Sequence, residues 1–206
     1  VIKKHEGLYV LADEIYEHIN YIGKHESIAQ FEGMKERSII VNGVSKAYAM
    51  TGWRIGFIAA PQWIVKGCNK LQGQYTSGPC SVSQKAAEAA YTLPQDCVET
   101  MRQAFERRRD LIVSLAKEIP GLEVNKPEGA FYLVPKCSSF VGKTEGQRTI
   151  NNSTDFAMYL LEVGHVATVG GDAFGDPDCF RMSYATSDDN IKEAMSRIKN
   201  ALSLLK

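Results

Sequence analysis

Three short apolar runs punctuate the first third of the chain. Leu8-Tyr9-Val10-Leu11-Ala12 ends in Asp13-Glu14, Ser38-Ile39-Ile40-Val41-Asn42 is closed by Gly43, and Arg54-Ile55-Gly56-Phe57-Ile58-Ala59-Ala60 is closed by Pro61. Brief, near-continuous apolar runs predict buried strands of an α/β sheet. Buried parallel strands need neighbours at both sides and helices on both faces, so these read as part of a larger sheet. Ligands of open α/β sheets gather at strand ends, which makes the polar residues there candidates.

The period changes after Pro61. One helix is predicted from Pro61 to about Gln74, with proline in its first turn, and a second from Pro79 to about Tyr91, with Pro94 as a break. Val98, Met101, Phe105, Ile112, Leu115 and Ile119 recur at helical spacing and predict a long helix from about Gln95 to Ile119. Its Arg107-Arg108-Arg109 reads as a solvated charged face. Leu122-Glu123-Val124 and Ala130-Phe131-Tyr132-Leu133-Val134 then read as strands, and Ser138 to Asn152 as a polar loop. Ser153 is expected to cap a helix that runs to Val163 and stops at Gly164. Phe180 to Tyr184 alternates like a strand. Ser187 caps a last helix with Ile191, Met195, Ile198, Leu202 and Leu205 on one face. The pattern divides the chain into residues 1–94, an incomplete α/β domain, and 95–206, a small α+β domain entered by the long helix.

Composition narrows the class. The 206 residues are 44% hydrophobic and 23% charged, values of a soluble globular protein. Lys+Arg and Asp+Glu are 24 each, without the basic excess of a nucleic-acid binder. No run approaches the ~18–20 apolar residues that span a bilayer. Five cysteines with no C-x-x-C spacing argue against a disulfide framework or zinc site, and for small buried thiols in a reducing, cytoplasmic compartment. The four histidines show no metal-ligand spacing, so no metal is expected. The start Val1-Ile2-Lys3-Lys4 lacks an initiator Met and reads as cropped.

The richest segment runs from Asn42 to Gly56 (NGVSKAYAMTGWRIG). Lys46 follows a strand and a glycine turn, and Arg54 lies eight residues on, beside glycines. A lysine in such a setting can act as a nucleophile. A hydroxyl such as Ser45, a guanidinium such as Arg54 and close backbone approach suit a phosphate. The other reading is of two loop charges at the surface. The segment lacks the G-x-x-x-x-G-K-[ST] pattern of a P-loop.

Ser45-Lys46-Ala47-Tyr48-Ala49-Met50-Thr51-Gly52-Trp53-Arg54-Ile55-Gly56 resembles the cofactor-lysine segment of class I/II aminotransferases that depend on pyridoxal 5′-phosphate (PLP), especially bacterial aspartate aminotransferases. Ala12-Asp13-Glu14-Ile15-Tyr16 is similar to the family's D-E-x-Y segment. Pro127-Glu128-Gly129-Ala130-Phe131-Tyr132 is similar to its small-domain P-x-G-A-F-Y segment, and Phe180-Arg181-Met182-Ser183-Tyr184-Ala185 to its substrate-arginine strand. The four occur in family order.

The resemblance implies a fold-type-I PLP transferase: the C-terminal portion of the large mixed-sheet domain plus the small α+β domain. It implies that Lys46 carries PLP as a Schiff base and moves the substrate's α-proton. Asp13 would pair with the pyridinium nitrogen, and Tyr16 would bond the cofactor's phenolic oxygen. Ser45 and Arg54 would hold the phosphate, and Arg181 the substrate α-carboxylate. Thr76 and Ser77 would approach a neighbouring subunit's phosphate, as the family is homodimeric. Glu14 and Trp53 read as structural and packing residues. Substrates would be an L-amino acid and a 2-oxo acid such as 2-oxoglutarate. A C–S lyase, an aromatic or alanine aminotransferase, and a non-catalytic PLP-fold module are the other readings. Family members are about twice as long, so this chain by itself is expected to be inactive, with exposed sheet edges prone to association.

Taken residue by residue, Asp13 also suits a strand-end cap, Tyr16 a half-buried aromatic, and Arg181 the partner of a structural carboxylate.

Overall fold

A computed structural model describes residues 1–206, which divide into two compact units, Val1–Arg102 and Gln103–Lys206. The first holds a three-stranded sheet of β1 (Val10–Asp13), β2 (Ser38–Gly43) and β3 (Gly56–Ala59), with β2 in the centre. β1 runs parallel to β2, Val10 opposite Ser38 and Asp13 opposite Val41. β3 is antiparallel, with Gly43 opposite Gly56. The ends of β1 and β2 and the start of β3 therefore lie at one end of the sheet.

The strands form where the apolar runs predict, but burial on both faces is not found. Leu11 is 68% exposed and Phe57 47%. Each stands on an outer strand that lacks a neighbour on one side within the unit. Helices α1 (Gln62–Tyr75) and α2 (Ser81–Thr92) follow β3. Pro61 is the N-cap of α1 rather than part of its first turn. α1 buries no residue, and Trp63, Leu71 and Tyr75 lie open.

α3 (Asp96–Lys117) starts in the first unit and continues into the second, where the continuous core lies. Ile112 and Ala116 of α3 pack there with α4 (Ser153–Glu162), α5 (Asp188–Ser203) and a small sheet. That sheet joins β4 (Tyr132–Leu133), β7 (Val169–Gly170) and β8 (Phe180–Ser183), all antiparallel, with β8 central. The Leu122–Val124 run contributes only a bridge, Glu123 to Lys136. The segment expected as a loop carries a hairpin, β5 (Thr144–Glu145) and β6 (Arg148–Thr149), turned by Gly146 at φ 59°.

Two expectations about polar residues are corrected. Arg109 is buried, not solvated: its guanidinium pairs with Glu106 and Asp110 and donates to the Pro127 carbonyl. Neutralised and hydrogen-bonded in this way, an arginine tolerates burial. The cap of α4 is Asn152, whose side chain accepts from the Asp155 amide at 2.8 Å. Ser153 turns inward, fully buried, because its hydroxyl finds Asp172 at 2.6 Å. The cysteines are unpaired, and burial pushes Cys137 up to about 12 and Cys179 to about 11. Cys68, Cys80 and Cys97 are exposed, contrary to the expectation of buried thiols, because they belong to the sparsely buried α1, the start of α2 and the start of α3.

Ser187 caps α5 as predicted, accepting from the Asn190 amide at 3.2 Å. Beside it, Asp188 accepts from Arg107 and from Arg108 at 3.1 and 3.3 Å. Arg107 first, then Arg108, holds the Asp188 carboxyl below its ordinary 3.8. A depressed folded-state value means that the link stabilises fully above 3.8 and is lost as pH falls through the folded value. Thermal melts should show a gap between the parent and Asp188→Asn that is constant above about pH 5 and closes on further acidification. A gap independent of pH would contradict the assignment.

Candidate active site

At the shared end of the first sheet, β1 finishes on Asp13. Its carboxylate is exposed and accepts from the Ile15 amide at 3.2 Å, turning the chain toward Tyr16. Glu14 is tied into the loop, accepting from the Ser27 hydroxyl at 2.7 Å and pairing with His25 at 3.1 Å. This agrees with its structural reading. The same fold brings oxygens of Glu14 and Glu17 and a nitrogen of His25 within 4.8 Å of one another, a possible ligand set for a metal ion. The spacing does not announce it, because the loop turning at Gly23 delivers His25.

β2 finishes on Gly43, where a side chain is excluded: a Cβ there would lie 2.9 Å from the Gly56 Cα. That close approach draws β3 against the start of the lysine turn. Asn42 is buried and its side-chain oxygen accepts from the Gly43 amide at 2.7 Å. Val44 and Ala47 are buried anchors, and between them Ser45 and Lys46 are half-buried. Lys46 Nζ stands 5.8 Å from the centroid of the Tyr16 ring. Tyr48 steadies the turn from below. Its hydroxyl donates to Gln95 at 2.7 Å, and its ring meets Tyr91 edge-on at 5.3 Å. Burial raises both phenols, Tyr91 up to about 12, so they remain neutral anchors at physiological pH.

Arg54 opens the approach to β3 in a left-handed conformation, φ 54° and ψ 50°, which non-glycine residues rarely adopt. Strain of this kind concentrates at functional sites. The guanidinium donates to the Thr51 carbonyl at 2.8 Å and makes no ion pair with a protein carboxylate. It lines an open cleft of about 860 Å³ with Asn42, Gln72, Thr76 and Gly78. Ser77 is also left-handed, φ 62°. Trp53, read as packing, is 45% exposed because it rides on the short turn Thr51–Trp53.

Asp13, Tyr16, Ser45, Lys46 and Arg54 thus belong to one end of one sheet. Arg181 belongs to the second unit, on β8. Its guanidinium lies 4.2 Å from the Phe174 ring centroid and 4.4 Å from that of Tyr132. No ion pair joins it to a carboxylate of the described residues; the aromatic rings are its close neighbours. Phe174 is the contact that sequence reasoning overlooks. Its only signal is an aromatic within the glycine-flanked turn Gly171–Gly175.

The family model for aminotransferase class I and II matches residues 1–198. The chain belongs to this family, and its fold is the fold-type-I aminotransferase fold. It is 48% identical over 204 residues to an aspartate aminotransferase of Rhizobium meliloti strain 1021, covering 98% of this chain and 50% of that protein. It is 47% identical to a bifunctional aspartate aminotransferase and glutamate/aspartate-prephenate aminotransferase of Petunia hybrida, covering 100% of this chain and 44% of that one. The crystal structure of an aspartate aminotransferase from Rhizobium meliloti superposes with a TM-score of 0.94 at 46% identity, covering 98% of this chain and 52% of that one. An aromatic aminotransferase from Pyrococcus horikoshii OT3 gives 0.88 at 40% identity, covering 98% and 52%. The chain spans about half the length of the curated relatives it matches. No helix is long and apolar enough to cross a membrane.

Proposed function

We propose that the protein is a PLP-dependent aminotransferase that moves the amino group of aspartate to 2-oxoglutarate. The observation that carries this is the convergence of Lys46, Asp13, Tyr16 and the carboxylate-free Arg54 at one end of the sheet. The donor set fits the group: an amine for its aldehyde, a carboxylate for its pyridine nitrogen, a phenol for its ring oxygen, and a guanidinium with hydroxyls for its phosphate.

Bound PLP supplies an electron sink for the carbanion formed at the substrate α-carbon. Lys46 would be the covalent attachment point for the group, and its free Nζ would take the α-proton as general base. The Asp13 carboxylate keeps the ring nitrogen protonated. Tyr16 hydrogen-bonds the ring oxygen, Ser45 and Arg54 bind the phosphate, and Arg181 grips the α-carboxylate through its two-pronged fork. Residues 1–94 are assigned to the cofactor-binding large domain and 95–206 to the small domain, with α3 as the bridge. The open face of α1, with Trp63 and Leu71, and the outer strands β1 and β3 fit a chain completed by further sheet and by a second copy in a homodimer. Thr76 and Ser77 would approach the partner's phosphate. The unpaired cysteines fit a reducing, cytoplasmic setting.

The resemblance to the Pyrococcus horikoshii aromatic aminotransferase supports a second reading, in which an aromatic amino acid such as tyrosine is the donor. The whole protein loaded with PLP should be assayed with aspartate, tyrosine, alanine and cystathionine. Aspartate is expected to lead in kcat/KM by about tenfold or more, a margin within reach of a site that hydrogen-bonds the substrate side chain. Tyrosine in first place would transfer the assignment to the second reading. Product formation from cystathionine without a 2-oxo acid would make the protein a lyase.

A further inference from the structure

We infer that Phe174 is a positioning residue for Arg181, and that the turn carrying it is fastened by the contact of Asp172 with the buried Ser153. The inference rests on the reading of Arg181 as the carboxylate anchor and concerns how that anchor is held.

Arg181 has aromatic rings within 4.2 and 4.4 Å of its guanidinium carbon, from Phe174 and Tyr132. A cation over a ring face is held by the ring's quadrupole, while its in-plane N–H donors remain available. An ion pair would have located the group equally well, but a fixed carboxylate would compete with an incoming one. Two rings locate the guanidinium without occupying its fork.

The two rings are secured differently. Tyr132 stands on β4, opposite Ser183 of β8, so the sheet itself sets its distance from Arg181. Phe174 is 52% exposed and ends the four-residue turn Gly171–Phe174, which leaves β7 just beyond its last pair with β8. That turn is tied at its root. Asp172 accepts from the Ser153 hydroxyl at 2.6 Å and from the Thr154 hydroxyl at 3.2 Å, and its amide donates back to Ser153 Oγ at 3.1 Å. The Gly171 amide donates to the Cys179 carbonyl at 2.8 Å, one residue before β8 begins. Gly171 itself packs so closely on the Asp176 and Cys179 carbonyls that no side chain fits. The first turn of α4 thus sets where Phe174 meets Arg181.

The whole protein loaded with PLP provides the test. Phe174→Leu keeps an apolar side chain of similar size and removes the ring. KM for both the amino acid and the 2-oxo acid should rise about 3- to 30-fold, the range of one cation–π contact. The value of kcat should change less than about threefold, as expected when binding is lost equally in ground and transition states. Affinity for succinate, an unreactive dicarboxylate, measured by calorimetry should fall by the same factor. Phe174→Tyr, which retains the ring, should restore both to within about twofold. Asp172→Asn should move KM in the same direction. Unchanged KM and succinate affinity in Phe174→Leu, beside a large loss in Arg181→Gln, would overturn this inference alone. No loss in Arg181→Gln would overturn the reading of Arg181 beneath it.

Discussion

Replacing Lys46 with alanine is expected to lower transamination by the whole protein by about 10²–10⁴-fold or more, the range supplied by one positioned acid–base group. The proposed function gives Lys46 two duties, covalent attachment and proton transfer. Around it, Asp13 ends β1 and Tyr16 follows it, while Arg54 precedes the start of β3. Stability should be little affected, because Lys46 is only half-buried and the turn is anchored by Val44 and Ala47 on either side. Stopped-flow and steady-state rates with aspartate, together with a thermal melt, check this. Activity within about tenfold of the parent would remove Lys46 from the chemistry.

The second large effect concerns the fold. Phe156→Ala should destabilise the second unit by about 3–5 kcal/mol, as expected for a fully enclosed aromatic whose cavity cannot collapse. Phe156 is completely buried, with ring centroids 5.5 Å from Phe140 and 4.8 Å from Phe180. It therefore joins α4, the turn before the β5–β6 hairpin, and the central strand β8. Met158, on the same helix but 47% exposed, is the control. Met158→Ala should stay within about 0.5 kcal/mol, as surface substitutions do. Denaturant midpoints followed by far-ultraviolet dichroism separate the two. Equal shifts would mean that the core is placed wrongly.

How much of this is legible along the chain depends on whether the controlling partner is local. The helical period of Val98 to Ile119 predicts α3 to within about two residues at either end, because the repeat itself encodes the buried stripe. Ser187 announces α5 for the same reason: its cap reaches only Asn190. Asn152 and Ser153 are equally good caps by type. Asp172, nineteen residues away, decides between them by drawing Ser153 inward. Arg109 sits in a run of three arginines that reads as solvated until Pro127 and Glu106 close over it. Leu11 reads as buried because alternation is absent, yet burial also requires a neighbouring strand.

The site divides along similar lines. Lys46 and Arg54 stand out because glycines mark the tight chain path around them, and ordered family motifs supply Asp13, Tyr16 and Arg181. The left-handed backbone of Arg54 and Ser77 is hidden, since neither residue type favours it. The rings around Arg181 are hidden too: Tyr132 comes from a distant strand, and Phe174, though close in sequence, reaches β8 only because the turn Gly171–Phe174 folds back.

The most direct measurement is borohydride reduction of the whole PLP-loaded protein, followed by proteolysis and mass mapping. A single pyridoxyl addition is expected on Lys46, in the peptide that runs toward Arg54. A pyridoxyl group on any other lysine, with Lys46 unmodified, would contradict it.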